Sequence, residues 1–263
     1  MAMFERIESI YVPVIDLQAS INWYQQHLGL KLLSQEKTTA QFSVYDGITK
    51  LTLIETMNFK PIRYINEQHK APYFNFHILN LKLTYEELES AGVKLSSISE
   101  NEYLHSFEII DPNGNWLGVC YEKESSPYYK PESEQHPLLD RVGAVFIPVR
   151  DLQKSLDFYE KALGLTLYHH WGGGADLGVN SKDNLITLFQ INDGGVETLA
   201  EVGRSYFSFY SADLDVTRSS LEQKGIASTA AVEQDSLAYC RLTDPDGHGL
   251  LVISGVKKVV VVN

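Results

Sequence analysis

The sequence predicts an α+β protein of four βαβββ units, two in each half of the chain. Three observations carry this. The chain repeats itself at an offset of 133 to 135 residues. Within each half, strand-like runs and amphipathic helical runs follow one another in the same order twice. The 263 residues, 44% apolar and 21% charged, suffice for a packed core in each half.

The repeat is direct. VPVIDLQASINWYQQHLGLKLL begins at Val12 and IPVRDLQKSLDFYEKALGLTLY at Ile147, an offset of 135 residues. YFNFHILNLKLTYEELESAGV begins at Tyr73 and YFSFYSADLDVTRSSLEQKGI at Tyr206, and DPNGNWLGVCY at Asp111 matches DPDGHGLLVIS at Asp244, both at 133. Between the halves lies EKESSPYYKPESEQHP, polar, Pro-bearing and aperiodic, which reads as a linker. The expected division is a first domain over 1–122, a linker over 123–137 and a second domain over 138–263.

The elements of the first half follow in order. Ile7 to Val14 reads as a strand. Asp16 is an N-cap for a helix whose apolar face is Leu17, Ile21, Tyr24 and Leu28, and Gly29 suits its left-handed end. Strands are expected at Lys31 to Leu33, Ala40 to Tyr45 and Leu51 to Thr56. The pattern restarts with a strand at Tyr73 to Ile78 and a helix at Leu81 to Ser90. Strands at Phe107 to Ile110 and Trp116 to Tyr121 are joined by the DPNG turn.

Composition excludes several classes. No apolar run approaches the roughly 20 residues of a membrane span. The start of the chain lacks a basic segment followed by an apolar one, so no signal peptide is expected and the location reads as cytoplasmic. A net charge of −12 argues against nucleic acid and mildly favours cationic or neutral ligands. Cys120 and Cys240 fall in apolar runs and read as buried thiols, not a disulfide. Whether two copies form a homodimer is left open.

The run V-x-D-L-x-x-S-x-x-[FW]-Y-x-x-x-L-G-L, followed about 95 residues later by D-P-[DN]-G, resembles the vicinal oxygen chelate superfamily over nearly the whole chain, twice. That superfamily includes glyoxalase I, extradiol dioxygenases, fosfomycin-modifying enzymes and bleomycin-resistance proteins. The resemblance implies two tandem glyoxalase-like domains, each a pair of βαβββ modules forming a cup-shaped mixed sheet with helices outside. It looks most like the extradiol dioxygenase arrangement, with residues 5–122 and 138–256 each closing one cup.

The resemblance also implies where metal ligands would stand. The first-strand position gives Ser9 and Ala144, the next module's first strand Tyr73 and Tyr206, its last strand Gly118 and Leu251, and the fourth position Glu55 and Gln190. Only Glu55 is a common ligand, so no metal and no other cofactor is expected. Glu8, by strand alternation, is expected to face away from Ser9. His169 and His170 are adjacent on a strand and should point to opposite faces. His77 reads as a solvated strand end and His248 as a turn residue. His27 sits near a helix end, where a cation suits the dipole. His105 and His136 read as loop residues. WGGGADLG, from Trp171, reads as a flexible or bulged strand edge, and Val259 to Val262 as either a packing strand or a tail.

The expected cup lining is Ser9, Tyr11, Leu53, Glu55, Tyr73, Asn75 and Trp116 in the first half. In the second half it is Phe146, Leu188, Gln190, Tyr206, Ser208 and Leu251. From these, Ser9, Tyr11, Glu55, Tyr73, Asn75, Trp116, Phe146, Gln190 and Tyr206 are the candidate ligand-binding residues. Aromatic walls with a few polar groups suit a small molecule. Two readings follow. One is a metal-independent, resistance-like protein binding an aromatic or cationic compound. The alternative is a superfamily enzyme (dioxygenase-like, lyase or isomerase) with a degenerate or relocated metal site. No nucleophile elbow, phosphate loop or HExxH motif is present.

Overall fold

The four units form as the repeat predicts, but they pair across the two halves. The computed structural model describes residues 3–66, 70–131, 137–182, 185–191, 205–234 and 237–255. Unit one comprises β1 (Arg6–Val14), α1 (Leu17–Leu28), β2 (Lys31–Gln35), β3 (Thr39–Ser43) and β4 (Lys50–Glu55). A small hairpin, β5 (Tyr64–Asn66) and β6 (Ala71–Pro72), leads to unit two. That unit has β7 (Phe74–His77), α2 (Leu81–Ser90), β8 (Lys94–Leu95), β9 (Ser99–Glu100), β10 (Leu104–Ile110) and β11 (Trp116–Glu122). Unit three has β12 (Arg141–Val149), α3 (Leu152–Leu156), which runs into wider π-type turns over Asp157–Ala162, then β13 (Thr166–Trp171), β14 (Gly174–Gly178) and β15 (Leu185–Gln190). Unit four has β16 (Phe207–Tyr210), α4 (Leu214–Gln223), β17 (Val232–Gln234), β18 (Leu237–Thr243) and β19 (Gly249–Gly255).

The helix signals act as read. The Asp16 carboxylate accepts from Ala19 N at 2.9 Å, and Asp151 accepts from Lys154 N at 3.0 Å. Gly29 closes α1 at φ 65°, a conformation that costs a Cβ-bearing residue about 1–2 kcal/mol. Ile10, Val12 and Val14 of β1 and Leu51 and Leu53 of β4 are fully buried with the apolar face of α1. Burying side chains of this size stabilises by about 1.5–3 kcal/mol each.

An eight-stranded sheet runs β17-β18-β19-β16-β1-β4-β3-β2, and a nine-stranded sheet runs β13-β14-β15-β12-β7-β11-β10-β8, with β9 also paired to β10. The seams are antiparallel: β1 on β16, and β12 on β7. Unit one therefore shares a sheet with unit four, and unit two with unit three. The α+β class and paired units are as expected. The expectation that 5–122 and 138–256 each close their own cup is corrected. Four units of one pattern offer equivalent first strands, so alternation alone does not choose the partner. Side chains at the seam do, as in the stacking of Phe4 on Phe209 at 4.4 Å.

Units of the same half remain joined on the outer side. Tyr24 Oη donates to Asp111 at 2.9 Å, and Tyr159 Oη donates to Asp244 at 2.8 Å. His248, just after the DPDG turn, belongs to the second of these junctions: it is buried, and its Nε2 lies 2.7 Å from Pro148 O. His105 stands on β10, not in a loop. WGGGADLG is not an edge either. Gly172 and Gly173 form a turn, and Gly174–Gly178 is the buried strand β14 between β13 and β15. His136 and Val259 to Val262 lie outside the described residues. Among the described residues no helix is long and apolar enough to cross a membrane.

Candidate functional site

Each sheet has a core face against the helices and an opposite face forming a cup. Core burial sets the parity. Val14 is in register with Glu55, and Val149 with Gln190, so both polar residues belong to the core-facing set, at its exposed end. Leu53 and Leu188 are fully buried core on the same face. The expected placement of Leu53, Glu55, Leu188 and Gln190 in the cups is therefore corrected by one residue. The cup-facing residues of β4 and β15 are Thr52 and Thr187, in register with Tyr11 and Phe146.

A second departure lies in β1. The β1–β16 register slips between Ile7 and Ser9, leaving Glu8 as the extra residue of a bulge. Ile7 and Ile10 both face the core, so Glu8 and Ser9 share the cup face, against simple alternation. Glu8 is 6% exposed and accepts from Arg6 Nε and Lys50 Nζ. Arg6 also lies 3.9 Å over the Tyr210 ring. Nearby, Ser9 Oγ is 2.7 Å from Thr52 Oγ1, and Tyr11 Oη donates to Ser208 Oγ at 2.9 Å. The first cup thus satisfies its own charges and hydroxyls.

Tyr73 and Tyr206 meet edge to face at 5.2 Å between the sheets, and Tyr206 Oη donates to Phe146 O. Tyr206 is buried there, with its hydroxyl already held by a backbone carbonyl. Asn75 faces the second cup, but its Oδ1 accepts from Ala144 N at 2.8 Å and so serves the bulge at Gly143. A Cβ at Gly143 would stand 2.6 Å from that oxygen. Trp116 packs against Tyr64 at 5.1 Å.

The positions at which the fold family places a metal do not fit one. Ser9 and Leu251 offer a hydroxyl and an alkyl group, and Ala144 a methyl. At Gly118 a Cβ would meet Phe74 O at 2.7 Å and Pro72 Cγ at 2.8 Å. Pro72 occupies the space a ligating side chain would need. Among the described residues no three His, Cys, Asp or Glu side chains are grouped to hold an ion.

The second cup carries polar groups that the sequence reading passed over. Asp176 on β14 accepts from Thr187 Oγ1 at 2.7 Å and from Tyr128 Oη at 2.8 Å, with His169 Nδ1 at 3.7 Å. On β11, Gly118, Cys120 and Glu122 share the cup face, and Cys120 Sγ lies 3.9 Å from Glu122 Oε1. His77 is buried, not solvated; its Nδ1 faces Asp140 at 3.3 Å and Arg141 Nη1 at 3.1 Å. The β13 register slips between Leu167 and His169, which brings Tyr168 and His169 to the cup face. Trp171 lies over Gly174, and Tyr168 over Gly178. His170 points away and is exposed, as expected. The alternation of β11 and the Asp inside GADLG were the available signals.

Burial pushes the carboxyls of Asp176 and Glu122 above their ordinary values, although hydrogen bonds partly offset this. Burial holds the His77 imidazole below its usual value. Burial likewise raises the Cys120 thiol. A carboxyl raised in the folded state binds its proton more tightly there than in the unfolded chain. Its penalty is present at neutral pH and vanishes as pH falls toward the unfolded value, ordinarily 3.8 for Asp. Asp176→Asn is therefore expected to raise the urea midpoint at pH 7. The gain should shrink to nothing near pH 4. A variant less stable than the parent at pH 7 would refute this.

Comparison with known proteins agrees with the fold. The model of the Glyoxalase/Bleomycin resistance protein/Dioxygenase superfamily matches residues 6–119 and 140–252. Glyoxalase I of Saccharomyces cerevisiae is 27% identical over 184 residues, 59% of this chain and 55% of that protein. The chain thus spans about half the length of this relative. Glutathione transferase FosA of Serratia marcescens is 26% identical over 113 residues, 43% of this chain and 79% of that protein. A Bacillus subtilis structure assigned as a dioxygenase superposes with TM-score 0.69 at 14% identity, covering 97% of this chain and 86% of the other. A Zea mays glyoxalase I mutant gives TM-score 0.67 at 17% identity, covering 95% and 92%. With its family signature present once in each half, the chain belongs to the Glyoxalase/Bleomycin resistance protein/Dioxygenase superfamily.

Proposed function

We propose that this protein binds a small molecule without a metal, and that the second cup is its site. The observation that carries this reading is the filling of the ligand position at Gly118 by Pro72, beside a cup that keeps aromatic walls, the buried Asp176 and the half-buried Glu122. An aromatic or cationic compound suits such walls. Phe146 stays among the proposed ligand contacts, joined by Asp176, Glu122 and Trp171. Tyr11 and Ser9 would contact a ligand only in the first cup, where both already hold protein partners. The two free buried thiols fit a cytosolic location.

The test is elemental analysis of protein passed through gel filtration with chelator, together with thermal shift in Zn, Ni, Mn and Fe(II). The expected result is no retained metal and no stabilisation. A tight native site would add several kcal/mol at saturating metal. One retained equivalent of metal would overturn the reading.

A second reading rests on the relatives, since glyoxalase I and glutathione transferase FosA are named for enzymatic activities. It places a relocated reaction centre in the second cup, with Glu122 as the proton-transferring group. Sustained consumption of glutathione, lost in Glu122→Gln while the fold is retained, would favour it.

A further inference from the structure

We propose that Tyr128, from the segment joining the halves, occupies the second cup in place of the ligand, and that the natural ligand is an aromatic compound bearing a protonated amine. This rests on the second cup being the binding site.

The segment around Tyr128 is a surface run in which Glu124, Ser125 and Pro127 are exposed. Its phenol nevertheless reaches Asp176, a 6%-exposed carboxylate on an interior strand. A ring whose polar tip sits on a buried acid has the outline of an aromatic ligand with a donor at its end.

Comparison of the two cups assigns the charge. The repeat matches Asp176 with Gln41 and Glu122 with Gly255, so these carboxylates are particular to the second cup. In the first cup Glu8 is met by Arg6 and Lys50. Their counterparts here are Arg141, which is bonded to Asp140 and His77, and Leu185, which carries no charge. The second cup therefore carries two carboxyls that the first lacks and has no charged counterpart of Lys50, and among the described residues the base nearest Asp176 is His169, 3.7 Å away. His77 adds an independent sign: its buried Nε2 has no hydrogen-bond partner among the described residues. A buried polar atom without a partner is uncommon and marks a place where another group belongs.

An ammonium would improve on the phenol, because it adds a full opposite charge to its hydrogen bond with the Asp176 carboxylate. The segment must leave for the ligand to enter. Apparent affinity is then reduced by the fraction of molecules in which the cup is free.

The experiment uses the full chain and three probes of one shape: tyramine, the neutral 2-(4-hydroxyphenyl)ethanol and the anionic 4-hydroxyphenylacetate. Binding is followed by calorimetry and by quenching of Trp171, with Trp171→Phe as the control for location. Tyramine is expected to bind best. Tyr128→Ala should tighten it about tenfold, Tyr128→Phe should tighten it less, and Asp176→Asn should weaken it tenfold or more. Equal affinity for the three probes overturns the proposal, as does no gain in Tyr128→Ala or no binding to any variant. If Trp171 is quenched but Tyr128→Ala changes nothing, the plug fails and the second cup stands. Quenching that survives in Trp171→Phe and is untouched by Asp176→Asn removes the second cup as the site altogether.

Discussion

Residues 1–131 expressed alone are expected not to form a folded monomer. Both seams of this protein join strands from different halves: β1 on β16 and β12 on β7. A first half on its own exposes the edges of β1 and β7 together with apolar faces that Phe207, Phe209, Val142 and Val145 cover in the intact chain. Unpaired apolar strand edges seek another chain. The fragment should therefore aggregate or pair with a second copy through the same seams. Co-expression with residues 137–263 should restore a soluble 1:1 complex. Sedimentation and thermal unfolding check this. A monomeric fragment with a cooperative transition at the parent's temperature would mean that each half closes its own cup.

Asp111→Ala is expected to cost about 3–5 kcal/mol in urea unfolding, since it leaves several buried donors unmet. Asp111 is 3% exposed. It accepts from Tyr24 Oη at 2.9 Å, from Asn115 N and Nδ2 at 2.8 Å each, and from Asn113 N at 2.8 Å. Tyr24 is fully buried, so its hydroxyl would be stranded. Burial pushes the Asp111 carboxyl above its ordinary value, and these donors are what keep it tolerable as an anion. Tyr24→Phe removes donor and need together and should cost about 1 kcal/mol. In the double variant the two losses should fall well short of additive. A loss under 1 kcal/mol for Asp111→Ala would show that the turn holds without this network.

Which residues face the cups was legible in part. Ser9, Tyr11, Asn75 and Phe146 face the cups, because their strands alternate regularly beyond the bulges. Glu55 and Gln190 do not, because the fourth position taken from the resemblance falls one residue away from the parity set by the buried Val14 and Val149. Glu8 was turned to the wrong face because a bulge leaves no mark in a one-dimensional pattern. Asp176 and Tyr128 are 48 residues apart. Neither is informative until the chain folds them together.

What the sequence by itself determined is the repeat, the order of elements, the helix caps and the apolar core face of each unit. These are local properties, set by spacing, capping chemistry and side-chain size within a few turns of chain. The tertiary structure alone decided which units share a sheet, which face of a bulged strand meets the cup, and that Pro72 fills one ligand position while Tyr128 reaches Asp176. Those outcomes depend on contacts between segments far apart in sequence. Four near-equivalent units leave several pairings open locally, and only the complementarity of their packed side chains selects one.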